Sequence, residues 1–173
     1  GLLLCALGAA VMALDGGQVA QTGTIVLSPA DTYLNTNKKN FSASTTLPVY
    51  TWPDQQPANA IVMKFDFSSL PAGSVVTQAT LHLALVANDT SADSSYTVTA
   101  HKILGRNPNI LKATGFSADG VVTWTPNNCC VGSAPRAQAD ISLPYDTRVV
   151  DKVKNVKTWN MTTMVHEWLL NPA

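Results

Sequence analysis

Four side chains in this sequence have the chemistry to hold a ligand without transforming it: Trp52, Lys64, His82 and His101. Trp52 stands beside Pro53, at the head of a stretch with two prolines, 53–59, that reads as an exposed loop. Lys64, His82 and His101 each fall on the side of an alternating pattern opposite the strand's apolar residues. An indole face with ammonium and imidazole groups on rigid strands suits sugars, whose rings offer apolar faces edged by hydroxyls. Lys64 would also suit an acidic sugar. The competing assignment has Trp52 capping one end of the fold and the other three residues merely solvated. Trp124, Trp159 and Trp168 are expected in the core.

Catalytic arrangements are harder to find. Hydrolysis of a glycosidic bond needs two carboxyl groups flanking it, yet Glu167 is the one glutamate and the other acids are aspartates in loops or strands. No Gly-x-Ser-x-Gly elbow is present, and His166-Glu167 lacks the second histidine of a zinc protease motif. The histidines, His82, His101 and His166, are dispersed. The expectation is a protein with no catalytic residues, no metal site and no cofactor. Residues 88–95 (NDTSADSS) have the acid spacing of a calcium loop but neither its glycine nor its terminal glutamate, so a solvated turn is expected and structural calcium lacks a specific motif. Cys129 and Cys130 are adjacent, their Cα atoms about 3.8 Å apart, closer than an unstrained disulfide prefers. A vicinal disulfide, a free pair and a partner outside this sequence all stay open, and no CxxC spacing supports zinc.

The elements that must position these residues are mostly strands. The chain has 173 residues with eleven basic against eleven acidic side chains, so nothing electrostatic favours nucleic acid or an anionic membrane. Thr, Ser, Val and Asn are abundant and Glu occurs once, which predicts an all-β protein. The organising stretch is 65–85, whose front half continues an alternating strand from Ile61. Ile61, Met63, Phe65 and Phe67 alternate with Val62, Lys64 and Asp66; Pro71 and Gly73 then break the ladder; Ala79, Leu81, Leu83 and Leu85 next alternate with Thr80, His82 and Ala84. Further strands are expected over 25–34 (broken at Ser28-Pro29), 45–52, 96–104, 121–125, 141–143 and 157–161. Residues 15–23 read as a linker, and 35–44 as a polar loop with Lys38 and Lys39 in solvent. Arg148, Lys152, Lys154 and Lys157 form a basic run suited to protecting a sheet edge. A helix is predicted over 162–170, with Met164, Val165, Trp168 and Leu169 facing the core. The expected core also holds Phe65, Phe67, Leu81, Leu83, Val98 and Trp124. Asn-x-Ser/Thr occurs at Asn40, Asn88 and Asn160.

Several of these pieces occur together in one known family. The run FDFSSLPAG followed by ATLHL resembles the central signature of DNRLRE-type domains, which are similar to family 96 carbohydrate-binding modules. Ala30-Asp31-Thr32-Tyr33-Leu34 resembles that family's first strand. Asn40 to Leu47 resembles its Asn-aromatic-Gly turn, with Ser42 in place of the usual glycine. Val122-Thr123-Trp124 and the segment from Val165 to Pro172 resemble its later landmarks. The resemblance covers about Ile25 to the last residue. It implies a two-sheet antiparallel β-sandwich of jelly-roll type with one short C-terminal helix, acting as a non-catalytic module that attaches a secreted polysaccharide-active or surface protein to polysaccharide, acidic chains such as alginate included. The alternative is a structural surface or filament subunit completed by strand donation.

Export fits the N-terminus. Residues 1–13 are apolar but too short for a span of roughly 20 residues, and Val11-Met12-Ala13 offers small residues for signal cleavage. Residues 1–20 are therefore expected to be a signal-peptide remnant with its cleavage region, 21–173 the module, and the location secreted or cell surface. Relative to the resembled family, the sequence is expected to stop at least one strand early. The apolar Gly1-Leu2-Leu3-Leu4 segment could fill that gap, in cis or in trans.

Overall fold

The computed structural model describes residues 5–10, 22–49, 59–71, 73–88, 95–125, 129 and 138–170. Among these it contains β1 (Cys5–Ala10), β2 (Thr22–Leu27), β3 (Ala30–Leu34), β4 (Ala60–Lys64), β5 (Gln78–Ala84), β6 (Ser95–Ala100), β7 (Asp146–Asp151), β8 (Val156–Asn160), one α-helix, α1 (Thr162–Leu170), and a single 3-10 turn (Gln138–Asp140). All pairings between these strands are antiparallel. The all-β class with one short helix is therefore observed. No helix of the described residues is long and apolar enough to cross a membrane. The chain forms two compact units, each assembled from separate stretches.

The first unit takes Gly1–Ser28, Asp66–His101 and Pro144–Ala173. Its main sheet has the order β2-β1-β5-β8, and β6 pairs with β7. Strand β1 lies within the stretch expected to be a signal remnant, and it is paired on both edges, with Leu7 opposite Ile25 on one side and Ala79 on the other. In β5 the alternation holds where it is sharpest: Ala79 is buried while Gln78 is exposed. Leu81, Leu83, Phe67, Val98 and Trp168, like Phe65 of the second unit, are half-buried rather than fully enclosed. Trp159 of β8 sits opposite Leu81 and donates from Nε1 to the Val98 carbonyl of β6 at 3.1 Å.

The helix starts where its capping chemistry predicts. The Thr162 amide donates to Asn160 Oδ1 at 3.0 Å, and the Val165 amide closes the first turn on the Met161 carbonyl at 2.9 Å. The Thr162 hydroxyl also accepts from the Ala79 amide at 3.0 Å, which ties the helix to β5. Met164 and Val165 are buried, Trp168 and Leu169 partly so, matching the expected stripe.

The second unit takes Pro29–Phe65 and Lys102–Leu143. β3 pairs with β4, setting Thr32 opposite Val62 and Leu34 opposite Ala60. The core gathers on that face: Leu34 and Val62 join Ile110, Ala113, Ala118, Trp124 and Cys129, with Ala60 and Ile103 against them. The expected faces of β4 are thus exchanged. Ile61 and Met63 are only half-buried, and Lys64 shares its register with buried Val62. Alternation favoured the Ile61–Met63 side, but the long-range packing of Val62 into this core decides which side is buried.

Four further elements differ from expectation. The single broken strand over 25–34 is two strands in different sheets, parted at Ser28-Pro29. Residues 45–49 form no strand, and 50–52 lie outside the described residues. The short strands expected at 121–125 and 141–143 are single bridges, Ser117 with Thr123 and Ile103 with Ile141. By contrast, Gly73 takes the left-handed φ of 79° that the break after Pro71 requires.

Candidate functional site

Of the four residues singled out for ligand binding, Trp52 lies outside the described residues. Lys64 ends β4 in the second unit, exposed, with its Nζ donating to Asn107 Oδ1 at 2.6 Å. His82 and His101 belong to the first unit. His82 lies in β5 opposite Thr158 of β8, on the face that carries Thr80 and Asn160. His101 follows the end of β6, its Nε2 2.7 Å from the Thr99 hydroxyl. The polar strip Thr80, His82, Thr158 and Asn160 is a finding of register, since sequence alternation shows a polar face but not which strand lies beside it.

The best-built surface cluster lies elsewhere, in the loop after β3. Tyr33 and Phe41 stack with centroids 4.2 Å apart and planes at 16°. Lys39 Nζ sits 5.5 Å from the Phe41 centroid, and Lys38 Nζ 5.5 Å from that of Phe116. The expected solvation of Lys38 and Lys39 is correct, but each ammonium also rests over a ring. Asn40 fixes the loop: its Nδ2 donates to the carbonyls of Ile110 and Ala113, both at 2.7 Å, and its Oδ1 accepts from the Ser42 amide and hydroxyl. Every hydrogen-bonding group of this side chain is committed. An asparagine before an aromatic, read as a turn, is in physical terms a clip joining two loops.

Other ionisable groups are engaged in holding the fold. Asp140 is buried, accepts from the Thr125 amide, and faces Arg106, whose Nη2 donates to the Thr125 hydroxyl. The basic run is partly neutralised: Arg148 pairs with Asp146 at 3.0 Å, and Lys157 with Asp151. Burial works to raise the Asp146 carboxyl, but amide donors from Asn160 and Thr147, with Arg148, outweigh it and hold the group below the usual range.

Glu167, the one glutamate, accepts a hydrogen bond from the Tyr145 phenol. His166 beside it bonds through Nε2 to the Val76 carbonyl. Among the described residues no group of three or more His, Cys, Asp or Glu could hold a metal ion. Cys129 is buried and disulfide-bonded. Cys130 and residues 89–94 of the acidic loop lie outside the described residues.

The Tyr145–Glu167 contact has a pH signature. The hydrogen bond to Glu167 pushes the phenol up to about 12, with burial and the carboxylate charge acting in the same direction. A raised folded-state value favours the neutral phenol, so its contribution to stability is complete below about pH 10 and is lost as pH rises through about 12. Ultraviolet titration of wild type minus Tyr145→Phe should show this late ionisation, and Glu167→Ala should return it toward about 10. A wild-type difference curve already centred near 10 would show that the bond does not form in solution.

Compared with known protein families, curated proteins and solved structures, the chain matches none.

Proposed function

We propose that this chain is a non-catalytic, extracellular module that binds polysaccharide, attaching a secreted polysaccharide-active or surface protein to it, on a two-sheet sandwich of jelly-roll type. The observation that carries the reading is the Lys64–Asn107 pair, an exposed ammonium held by an amide oxygen at 2.6 Å at the end of a paired strand. A donor already ordered loses little freedom when a sugar hydroxyl or carboxylate arrives, so it contributes more to affinity than a free lysine would. The polar strip with His82 offers further hydrogen-bonding groups on a paired sheet. Engagement of the one glutamate with Tyr145 fits a role without bond cleavage.

Titrating the full chain against neutral and acidic glycans tests this. Lys64→Ala and Trp52→Ala should each weaken binding about tenfold, the range of an ordinary contact at an interface centre. Equal affinities in wild type and both variants would remove these residues from the site. Release of reducing ends or unsaturated products would overturn the non-catalytic assignment.

A further inference from the structure

The loop after β3 carries two ammonium groups with no carboxylate partner among the described residues. Lys38 and Lys39 are exposed, and each is held over an aromatic ring instead, Phe116 and Phe41 respectively. A lysine in an ion pair must surrender its partner before binding another anion, whereas one resting on a π face keeps its outer side open. The backbone beneath is anchored at both ends. The Lys39 amide donates to Asn37 Oδ1 at 2.8 Å, and Asn40 clips the loop to the Ile110 and Ala113 carbonyls. Tyr33, fixed in β3, backs Phe41 from beneath. Charge and ring are therefore presented together on a held loop.

That combination matches one chemistry, a sugar ring bearing a carboxylate. The carboxylate meets the ammonium and the apolar CH face of the sugar meets the ring edges, while adjacent lysines address successive units of a charged chain. A neutral sugar would gain only the second contact. Resting on the polysaccharide reading, we infer that Lys38, Lys39 and Phe41, backed by Tyr33 and Phe116, form a charge-selective subsite for the carboxylated units of an anionic polysaccharide.

The test uses the full chain with three polymers: polygalacturonate, its fully methyl-esterified form and dextran. The double variant K38Q/K39Q should bind polygalacturonate about tenfold more weakly than wild type, the sum expected from two exposed charge contacts. Its affinity for the methyl ester should be unchanged, and its melting transition should stay cooperative and fall only slightly, because exposed Lys→Gln changes remove two cation–ring contacts and little packing. Wild-type affinity for polygalacturonate should fall with added salt, and that of the double variant should fall less. Phe41→Leu, which keeps both charges, should lose affinity for both galacturonan forms. Equal affinities of wild type and K38Q/K39Q for polygalacturonate, or equal losses on the methyl ester, would overturn the subsite and leave the polysaccharide reading standing. So would a wild type that binds only the neutral polymers. A wild type that binds none of the three would overturn both.

Discussion

Gly115→Ala should be among the most damaging single substitutions in the second unit, costing about 3 kcal/mol or more. A Cβ at this position would stand 1.5 Å from the Asn35 carbonyl oxygen and 2.7 Å from its carbon. Both are backbone atoms, so no rotamer change relieves the overlap; one loop must move away from the other. That movement is opposed by the Asn40 clip and by the Cys129 amide, which donates to the Gly115 carbonyl at 2.8 Å. It would also disturb Trp124, whose indole Nε1 donates to the Thr114 carbonyl at 2.8 Å beside the glycine. Urea denaturation followed by tryptophan fluorescence should show a lower midpoint, and amide exchange at Leu34 and Val62 should quicken. Adding Asn35→Ala should not rescue the variant, because the obstacle is main chain. An unchanged midpoint for Gly115→Ala would mean that the two loops do not approach this closely in solution.

This close approach marks the limit of what the sequence makes legible. Local rules worked where one physical cause acts alone. The helix over 162–170 follows from its apolar stripe, the turn at Pro71–Gly73 from backbone restriction, and the break at Ser28-Pro29 from a missing donor. They failed where the outcome depended on a partner distant in sequence. The alternation over 61–67 puts Lys64 and Asp66 on the Val62 face and so favours the other side, but packing of Ile110, Ala113 and Trp124 with Val62 makes that residue the buried one. Residues 45–49 have strand propensity but form no strand, because propensity without a ladder does not make one.

The candidate sites divide in the same way. Lys64, His82 and His101 were visible as polar residues in apolar surroundings, but their neighbours Asn107, Thr158 and Thr99 were not. Lys38 and Lys39 read as solvated loop residues because the rings that hold them are contributed partly from position 116. The one local signal was Tyr33, Lys39 and Phe41 lying within nine residues of each other on either side of a strand end.

In the first unit the largest expected effect is at Trp159. Trp159→Ala should cost about 3–5 kcal/mol, the range for removing a buried large aromatic side chain. The residue is 3% exposed, pairs with Leu81 across the β5–β8 ladder, and joins β8 to β6 through its indole bond to the Val98 carbonyl. Truncation therefore opens a cavity and leaves that carbonyl without its indole donor. Trp159→Phe separates the two effects, since the phenyl ring keeps most of the volume but lacks the N–H. A lost hydrogen bond at a carbonyl that water can partly reach costs about 1 kcal/mol, so Trp159→Phe should fall well short of Trp159→Ala. Denaturation midpoints of wild type and both variants at constant m supply the comparison. If Trp159→Phe were as damaging as Trp159→Ala, the bond to Val98 would dominate over burial; if both were neutral, β8 would not be anchored through Trp159 at all. Because β8 also supplies Thr158 beside His82 and Asn160 at the helix start, the proposed polysaccharide binding predicts that Trp159→Ala reduces glycan affinity together with stability. Trp159→Phe should largely retain both.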